Sequence, residues 1–322
     1  MKAIVYREYG SPEVLRLQEI AKPEPGDDEV LIRVRAASVN PLDWHFMRGD
    51  PKIVRIAFGL TRPREPRLGR DVSGVVEAVG RSATRLKPGD EVFGAVRGAF
   101  GEHACGKERT LHCKPRNLSF EEAAALPIAG ISALQALRDN GNLRAGDKVL
   151  VNGAAGGVGT FAVQIAKSFG AEVAGVCSSR NVELVSSLGA LRVFDYTRED
   201  FTKSGAQFDV ILDCVVNHSL SECARMLSSS GHYVMVGGPR GSFGPFLARM
   251  FSMSFRSMFG SRKFSTLMAR ITQQDLEVLR NLAEAGKLTP VIDRMYRLAE
   301  TPEAVRYLEQ GHARGKVVIS ID

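Results

Sequence analysis

At 322 residues the chain exceeds one average domain, so two domains are expected. With 44% hydrophobic and 25% charged residues it is neither disordered nor fibrous, and no apolar run approaches the ~18 residues that a membrane-spanning helix needs. Five scattered cysteines without a Cys-x-x-Cys pair argue against a disulfide framework and against a structural zinc lobe, while a net charge of +7 leaves room for an anionic partner: nucleic acid, a lipid surface or a phosphorylated cofactor.

Met1 is followed by KAIVYREYG, which has no secretory apolar core, so a reducing, cytoplasmic setting is expected. The first hundred or so residues read as short strands and turns. EVLIRVRAASV is an extended run, DVSGVVEAVG is rich in β-branched residues, and KPGDEVFGAV places a Pro-Gly-Asp turn before a strand. From about Ser119 the texture changes. SFEEAAALPIAGISALQAL opens with Ser-x-x-Glu, a helix-capping pattern, and is interrupted at Pro127. RAGDKVLV then predicts a turn and a strand, followed by the glycine-rich NGAAGGVGT. Beyond it Val158, Phe161, Ala162, Ile165, Ala166 and Phe169 recur at helical spacing up to Gly170. Strand AEVAGVC, helix NVELVSSLGA, strand FDVILDC, a helix near SLSECARML and strand HYVMVGG continue the alternation that predicts a parallel, doubly wound sheet. The tail supplies helices around DLEVLRNLAEAG and PEAVRYLEQ and a last strand, KVVISID. The expected fold class is α/β.

The glycines are spaced Gly153-x-x-Gly156-x-x-Gly159 between a predicted strand and a predicted helix. Such a turn leaves the first N–H groups of the helix open to an anion and lets a pyrophosphate approach bare backbone. The end of the next strand then separates the two nicotinamide cofactors. An acid there suits the adenosine ribose of NADH; cations and hydroxyls suit the extra phosphate of NADPH. This chain reads Cys177, Ser178, Ser179, Arg180, Asn181, without an acid, so NADPH is expected. The alternative, that Ser178 and Ser179 only start the next helix, stands beside it.

SVNPLDWHFMRG, GRDVSGVVEAVG, KPGDEVFG, AALPIAGISALQAL, NGAAGGVGTFAVQIAKSFGAEV, the LGA…DYT pair and the closing GHARGKVVI occur in order over nearly the whole chain. In these motifs the chain resembles the zinc-independent quinone oxidoreductases of the medium-chain dehydrogenase/reductase superfamily. The likeness is to the branch with chloroplast-envelope quinone oxidoreductase homologues and reticulon-interacting oxidoreductases. The resemblance implies a GroES-like β-rich catalytic domain over 1–122 and 271–322 and a Rossmann NADPH-binding domain over 123–270, with the active site in a cleft separating them. It implies that Ala155, Gly156, Gly157 and Val158 meet the pyrophosphate, and that Ser178 and Arg180 meet the 2′-phosphate. Tyr196 would pack near that phosphate, with packing in the core as its alternative. Val236 and Gly237 would lie near the nicotinamide, and His312, Ala313, Arg314 and Lys316 in a segment closing over the cofactor. A homodimer is implied as well.

The alcohol dehydrogenases of that superfamily carry zinc ligands where this chain has Asn40 and Gly69-Arg70-Asp71, and only Cys105 and Cys113 stand where four cysteines hold a structural ion. An amide does not replace a thiolate, so no metal is expected, and His45, His103 and His112 read as surface or packing residues. Without a Lewis acid, a quinone or an α,β-unsaturated carbonyl is the better hydride acceptor, because conjugation carries the arriving charge to oxygen. Asn40 and Trp44 are candidate donors to that oxygen, with Asp43 orienting them or relaying a proton through water. Each has a structural alternative, since Asn-Pro forms turns and Asp43 suits a helix cap.

Between Pro239 and Arg270 lie Arg240, Arg249, Arg256, Arg262, Lys263 and Arg270, interleaved with phenylalanines and methionines and with no acid. On a helix Leu247, Phe251, Phe255 and Met258 share one side, opposite Arg249, Arg256 and Lys263. A lid over the substrate or a dimer contact is the preferred reading, with peripheral membrane contact through 239–270 as the other. The expected function is reduction of a small-molecule quinone or enone by NADPH, with no nucleic-acid partner. An enoyl-thioester reductase is the alternative among enzymes, and an NADPH-binding module with a membrane, RNA or protein partner is the alternative outside them.

Overall fold

The structure, a computed structural model, describes residues 1–237 and 243–321. It divides into one unit of Met1–Ile131 with Ile271–Asp322 and a second of Ser132–Arg270. In chain order the elements are β1 (Lys2–Val5), β2 (Arg16–Glu19), β3 (Glu29–Val39), α1 (Pro41–Arg48), α2 (Val54–Phe58), β4 (Asp71–Val79), β5 (Glu91–Ala95), β6 (His103–Lys107), β7 (Leu111–Cys113) and α3 (Phe120–Ala125). Helix α4 (Pro127–Gln135) runs across the division at Ile131. The second unit then has β8 (Lys148–Asn152), α5 (Gly157–Ser168), β9 (Glu172–Cys177), α6 (Val182–Ser187), β10 (Arg192–Asp195), β11 (Phe208–Asp213), α7 (Leu220–Met226), β12 (Leu227–Met235), α8 (Phe243–Phe259) and β13 (Lys263–Thr266). The chain returns to the first unit with α9 (Gln273–Glu284), β14 (Ile292–Arg297), α10 (Thr301–Glu309) and β15 (Lys316–Ser320).

The first unit is built on a seven-stranded sheet ordered β14-β15-β3-β4-β5-β7, with β6 pairing to β3, and a separate β1-β2 pair. Strand β3 is long, and its Val30, Ile32, Val34, Ala37 and Val39 feed one core with Val72, Val76, Val92, Val317 and Ile319. The C-terminal β15 lies antiparallel on β3, pairing Val317 with Val39 and Val318 with Ser38, so residues far apart in sequence become neighbours. Helix α3 is capped by Ser119, which accepts from the Glu122 backbone while the Glu122 carboxylate accepts from the Ser119 N–H. Such a cap is worth about 1 kcal/mol. Its buried Ala124 and Ala125 pack on Ala36 and Val318, and these small side chains seat the helix close to the sheet.

The second unit is a six-stranded, wholly parallel sheet ordered β10-β9-β8-β11-β12-β13. The chain winds outward from β8 in one direction and then returns to begin again at β11. That reversal makes the gap between the carboxyl ends of β8 and β11 the place where ligands bind in such sheets. Leu150, Val176, Phe194, Ile211, Tyr233 and Met235 form the core on one face. Two strands differ from the sequence reading. Lys263, expected on the polar side of a helix, begins the edge strand β13, and β14 arises from IDRMYR, whose burial pattern carries little apolar alternation.

Candidate functional site

In the second unit β8 ends at Asn152, whose amide donates to Asp213 Oδ1 (2.9 Å) and to Asn217 Oδ1 (3.0 Å). Asp213 ends β11, so this pair ties together the two strands that flank the reversal. Asp213 is nearly fully buried and also accepts from the N–H groups of Val215 and Val216 and from the Tyr233 hydroxyl at 2.6 Å. Val216 sits at φ +61, a conformation that β-branched residues rarely adopt, and these bonds hold it there.

Between Asn152 and α5 the chain makes the glycine turn read from the sequence between strand and helix. Gly153 has φ +87, and a Cβ on Gly159 would stand 2.1 Å from the Gly153 carbonyl oxygen, so α5 packs directly on the turn. Gly156 caps α5 and Gly157 and Val158 open it, with no acid in the first turn. The first N–H groups of α5 have no partner within the helix, and they gather where an anion can be held. Ala155 is buried beside them. A pyrophosphate fits this turn.

At the end of β9, Ser178 precedes a short helical turn, Ser179–Asn181, that leads into α6. These residues therefore do start the next helix. Ser179 Oγ donates to Asp195 Oδ2 at 2.5 Å and lies 2.8 Å from Thr197 Oγ1. Sequence reasoning found no acid at this strand end; the acid comes from the end of the adjacent β10. The Ser179 hydroxyl, together with the Thr197 bonds, holds the Asp195 carboxyl below the usual carboxylate range. Arg180 is exposed on the same turn. Tyr196 is 55% exposed, which sets aside its packing alternative. It lines a cavity of about 450 Å³ with Thr197, Phe201, Asn217 and His218. Val236 donates its N–H to the Asp213 carbonyl (2.9 Å), and Gly237 follows it on the surface.

In the first unit the candidates meet in a buried polar centre. Asn40 caps α1 and its N–H donates to Asp43 Oδ2 at 2.7 Å. The Asn40 amide is fully engaged: Nδ2 donates to the Ser38 carbonyl (3.2 Å) and to Asp71 Oδ2 (2.9 Å), and Oδ1 accepts from Lys316 Nζ at 2.6 Å. Asp71 Oδ2 also accepts from Ser38 Oγ (2.8 Å), with Lys316 Nζ at 3.5 Å, while its Oδ1 accepts from the Ile128 N–H at 3.0 Å. Asn40, Asp43, Asp71 and Lys316 are all buried. Asp43 Oδ1 is buried without a hydrogen-bond partner among the described residues. Burial pushes the Asp43 carboxyl up from 3.8 to about 7; the Asn40 N–H opposes the shift, Asp71 adds to it, and Lys316 and Arg70 oppose it. Both observations favour the protonated carboxyl, because an ionised oxygen there would be desolvated and unpaired. Burial pushes Lys316 down, against the pull of Asp71 and Asp43.

Trp44, on α1, is half-buried and stacks on His45 at 3.7 Å between ring centroids. His312 and Arg314 are exposed and Ala313 packs on the core, while the Arg314 N–H donates to Asp293 Oδ2 at 3.0 Å. Lys316 is thus set apart from the rest of its segment and grouped with Asn40. Sequence reasoning missed Asp71, Ser38, Asp213 and Asn217 as parts of these sites. Asp71 was visible only as a non-ligand, and nothing in the sequence signals its partners.

The chain matches two family descriptions: an alcohol dehydrogenase GroES-like domain over residues 26–136 and a zinc-binding dehydrogenase over residues 188–319. The second implies a metal, and the side chains of the polar centre do not suit one. Its cation place is taken by the Lys316 ammonium between Asn40 Oδ1 and Asp71 Oδ2, the Arg70 guanidinium is close by, and the donors are an amide and carboxyls. Among the described residues no three His, Cys, Asp or Glu side chains group as metal ligands. Cys105 is held as a neutral thiol by burial, pushed up to about 11, and His45, His103 and His112 lie against Asp50, Glu77 and Cys113.

The chain is 36% identical to the mitochondrial NAD(P)H oxidoreductase RTN4IP1 of Bos taurus, over the whole of this chain and 89% of that protein. It is also 36% identical to the 2-methylene-furan-3-one reductase of Solanum lycopersicum, over 99% of this chain and 79% of that one. The solved quinone oxidoreductase of Coxiella burnetii superposes with a TM-score of 0.86 at 31% identity, over the whole of this chain and 99% of its own. With a GroES-like unit, a Rossmann sheet and relatives of this kind along its full length, the chain belongs to the quinone oxidoreductase family of the medium-chain dehydrogenase/reductase superfamily.

Proposed function

We propose that the protein reduces a quinone or an α,β-unsaturated carbonyl with NADPH and without a metal. The observation that carries this reading is the glycine turn at the reversal point of the parallel sheet, with the anion-ready start of α5 above it. Two relatives add support through what their names state they act on, a quinone and a 2-methylene-furan-3-one. In this reading the backbone from Ala155 to Val158 holds the pyrophosphate, Ser178 and Arg180 hold the 2′-phosphate, and Tyr196, Val236 and Gly237 complete the second unit's share of the cofactor site. When bound, NADPH supplies the hydride.

The remaining chemistry is the proton. Conjugation delivers the charge of reduction to an oxygen, and that oxygen needs a donor. Asn40 has both amide hydrogens engaged, so we assign it to positioning. Trp44 keeps the role of donor to the substrate oxygen. Asp43, whose carboxyl burial raises to about 7, is the proton source in this reading and passes the proton on through water. A ketone lacking conjugation has no such route for its charge and is a poor substrate.

The test is nicotinamide absorbance with NADPH and a panel of a simple 1,4-quinone, an alkenone, an enoyl thioester and an unconjugated ketone. Turnover of the quinone or the alkenone, with the ketone inert, is expected. Preference for the thioester moves the assignment to an enoyl-thioester reductase, and tight NADPH binding with no turnover makes the protein a binding module.

A further inference from the structure

Within the polar centre of the first unit one group has no role in the reading above. Lys316 lies on β15, which the antiparallel register places beside β3 and the turn into α1. Its ammonium is 2.6 Å from Asn40 Oδ1 and 3.5 Å from Asp71 Oδ2, and its side chain is 3% exposed. A lysine is costly to bury, and among the described residues its side chain meets Asn40 and Asp71. Asn40 is the link. Its carbonyl accepts from Lys316, its amide donates to Asp71, and its backbone N–H donates to Asp43 Oδ2. Removing the ammonium leaves the Asn40 oxygen unpaired and frees the amide to turn, and with it the cap that carries Asp43.

We propose that Lys316 is a positioning residue for proton delivery: clamped between Asn40 and Asp71, it locks the Asn40 turn that carries Asp43 and, in its ammonium form, favours the carboxylate that remains after the proton leaves. The inference rests on the function proposed above. In the step concerned the Asp43 O–H bond breaks, the proton passes through water to the oxygen of the reduced substrate, and the bonding pair stays on Asp43 until solvent returns a proton. The charged and titratable groups around Asp43 are Lys316 from β15, Arg70 and Asp71 at the start of β4, and Tyr6 beyond β1. Lys316 and Arg70 favour the ionised carboxyl and Asp71 opposes it.

The experiment follows NADPH-dependent reduction of a 1,4-quinone and an alkenone by the full chain as a function of pH, for the wild type, Lys316→Met, Lys316→Arg and Asp43→Asn. In the wild type kcat falls as pH rises through about 7, because the working form of Asp43 is protonated. In Lys316→Met the loss of a nearby positive charge moves that fall upward by about one pH unit, and the plateau kcat drops severalfold. Lys316→Arg keeps the wild-type position of the fall, and Asp43→Asn removes it and lowers kcat by roughly 100-fold or more. Lys316→Gln, neutral yet able to donate to Asn40, replaces Lys316→Met if that variant does not fold, with the same upward shift expected.

A profile that ignores the lysine charge overturns the proposal, as does a wild type whose kcat shows no fall. A higher KM for NADPH with an unmoved profile also overturns it. A wild type that binds NADPH and reduces neither probe defeats the proposed function instead.

Discussion

Asp43 shows how far burial alone can move a side chain's chemistry. Its carboxyl rises from 3.8 to about 7, so folding favours the protonated form. The stability from this group is complete below pH 3.8 and is lost as pH climbs through 7, since the unfolded carboxyl ionises first and the folded one resists. Asp43→Asn, which can still accept from the Asn40 N–H, should flatten that dependence: urea midpoints of wild type and variant should diverge between these pH values, the wild type losing more. Arg180 tests the other end of the chemistry. Charge-assisted hydrogen bonds contribute about 1.5–3 kcal/mol, so Arg180→Ala should weaken NADPH by about tenfold or more and spare NADH. Equal losses by calorimetry would remove the 2′-phosphate role. Ser179 was read with Arg180 as one phosphate site, yet its hydroxyl faces Asp195. The sequence shows which residues follow β9 but not what the end of β10 places against them.

Among the elements, the glycine turn and α8 differ in how much of them was legible. The turn followed from glycine spacing between a predicted strand and a predicted helix, and its glycines do separate jobs. Gly159→Ala would press a methyl against the Gly153 backbone, at 2.1 Å, and should cost about 1–3 kcal/mol of stability. A Cβ on Gly156 stands 3.4 Å from its nearest neighbour, so Gly156→Ala should leave the urea midpoint in place and lower NADPH affinity, because a pyrophosphate held by this turn needs bare backbone. The basic Phe/Met segment was legible as an amphipathic helix but not in its orientation. Arg249 bonds to the His218 carbonyl (2.8 Å) and the Tyr233 hydroxyl (2.7 Å), and Arg256 to Ser221 Oγ (3.0 Å), while Phe251, at 74% exposed, and Met258, at 71%, face outward. Arg240 lies outside the described residues. The helix is therefore tied to the unit through Arg249 and Arg256. Arg249→Met should destabilise by about 1.5–3 kcal/mol, whereas Phe251→Ser should change stability by less than about 0.5 kcal/mol. Chemical denaturation of both variants checks this.

For the whole molecule, cofactor binding is linked to stability. A ligand held by the folded protein alone adds about 2.7 kcal/mol at one hundred times its Kd, so NADPH should raise Tm more than NADH at one concentration. Equal rises would return the 2′-phosphate site to question. No helix among the described residues is long and apolar enough to cross a membrane. What the sequence determined by itself was local: capping at Ser119, the extended run of β3, helical spacing from Val158 and the glycine turn, each of which depends on neighbours a few residues away. What only the tertiary structure decided was long-range. Lys316 meets Asn40 because β15 pairs antiparallel with β3, and Asn152 meets Asp213 because β8 and β11 are adjacent in the sheet. A hydrogen bond joins atoms a few ångströms apart whatever their separation along the chain, and only strand pairing sets that distance.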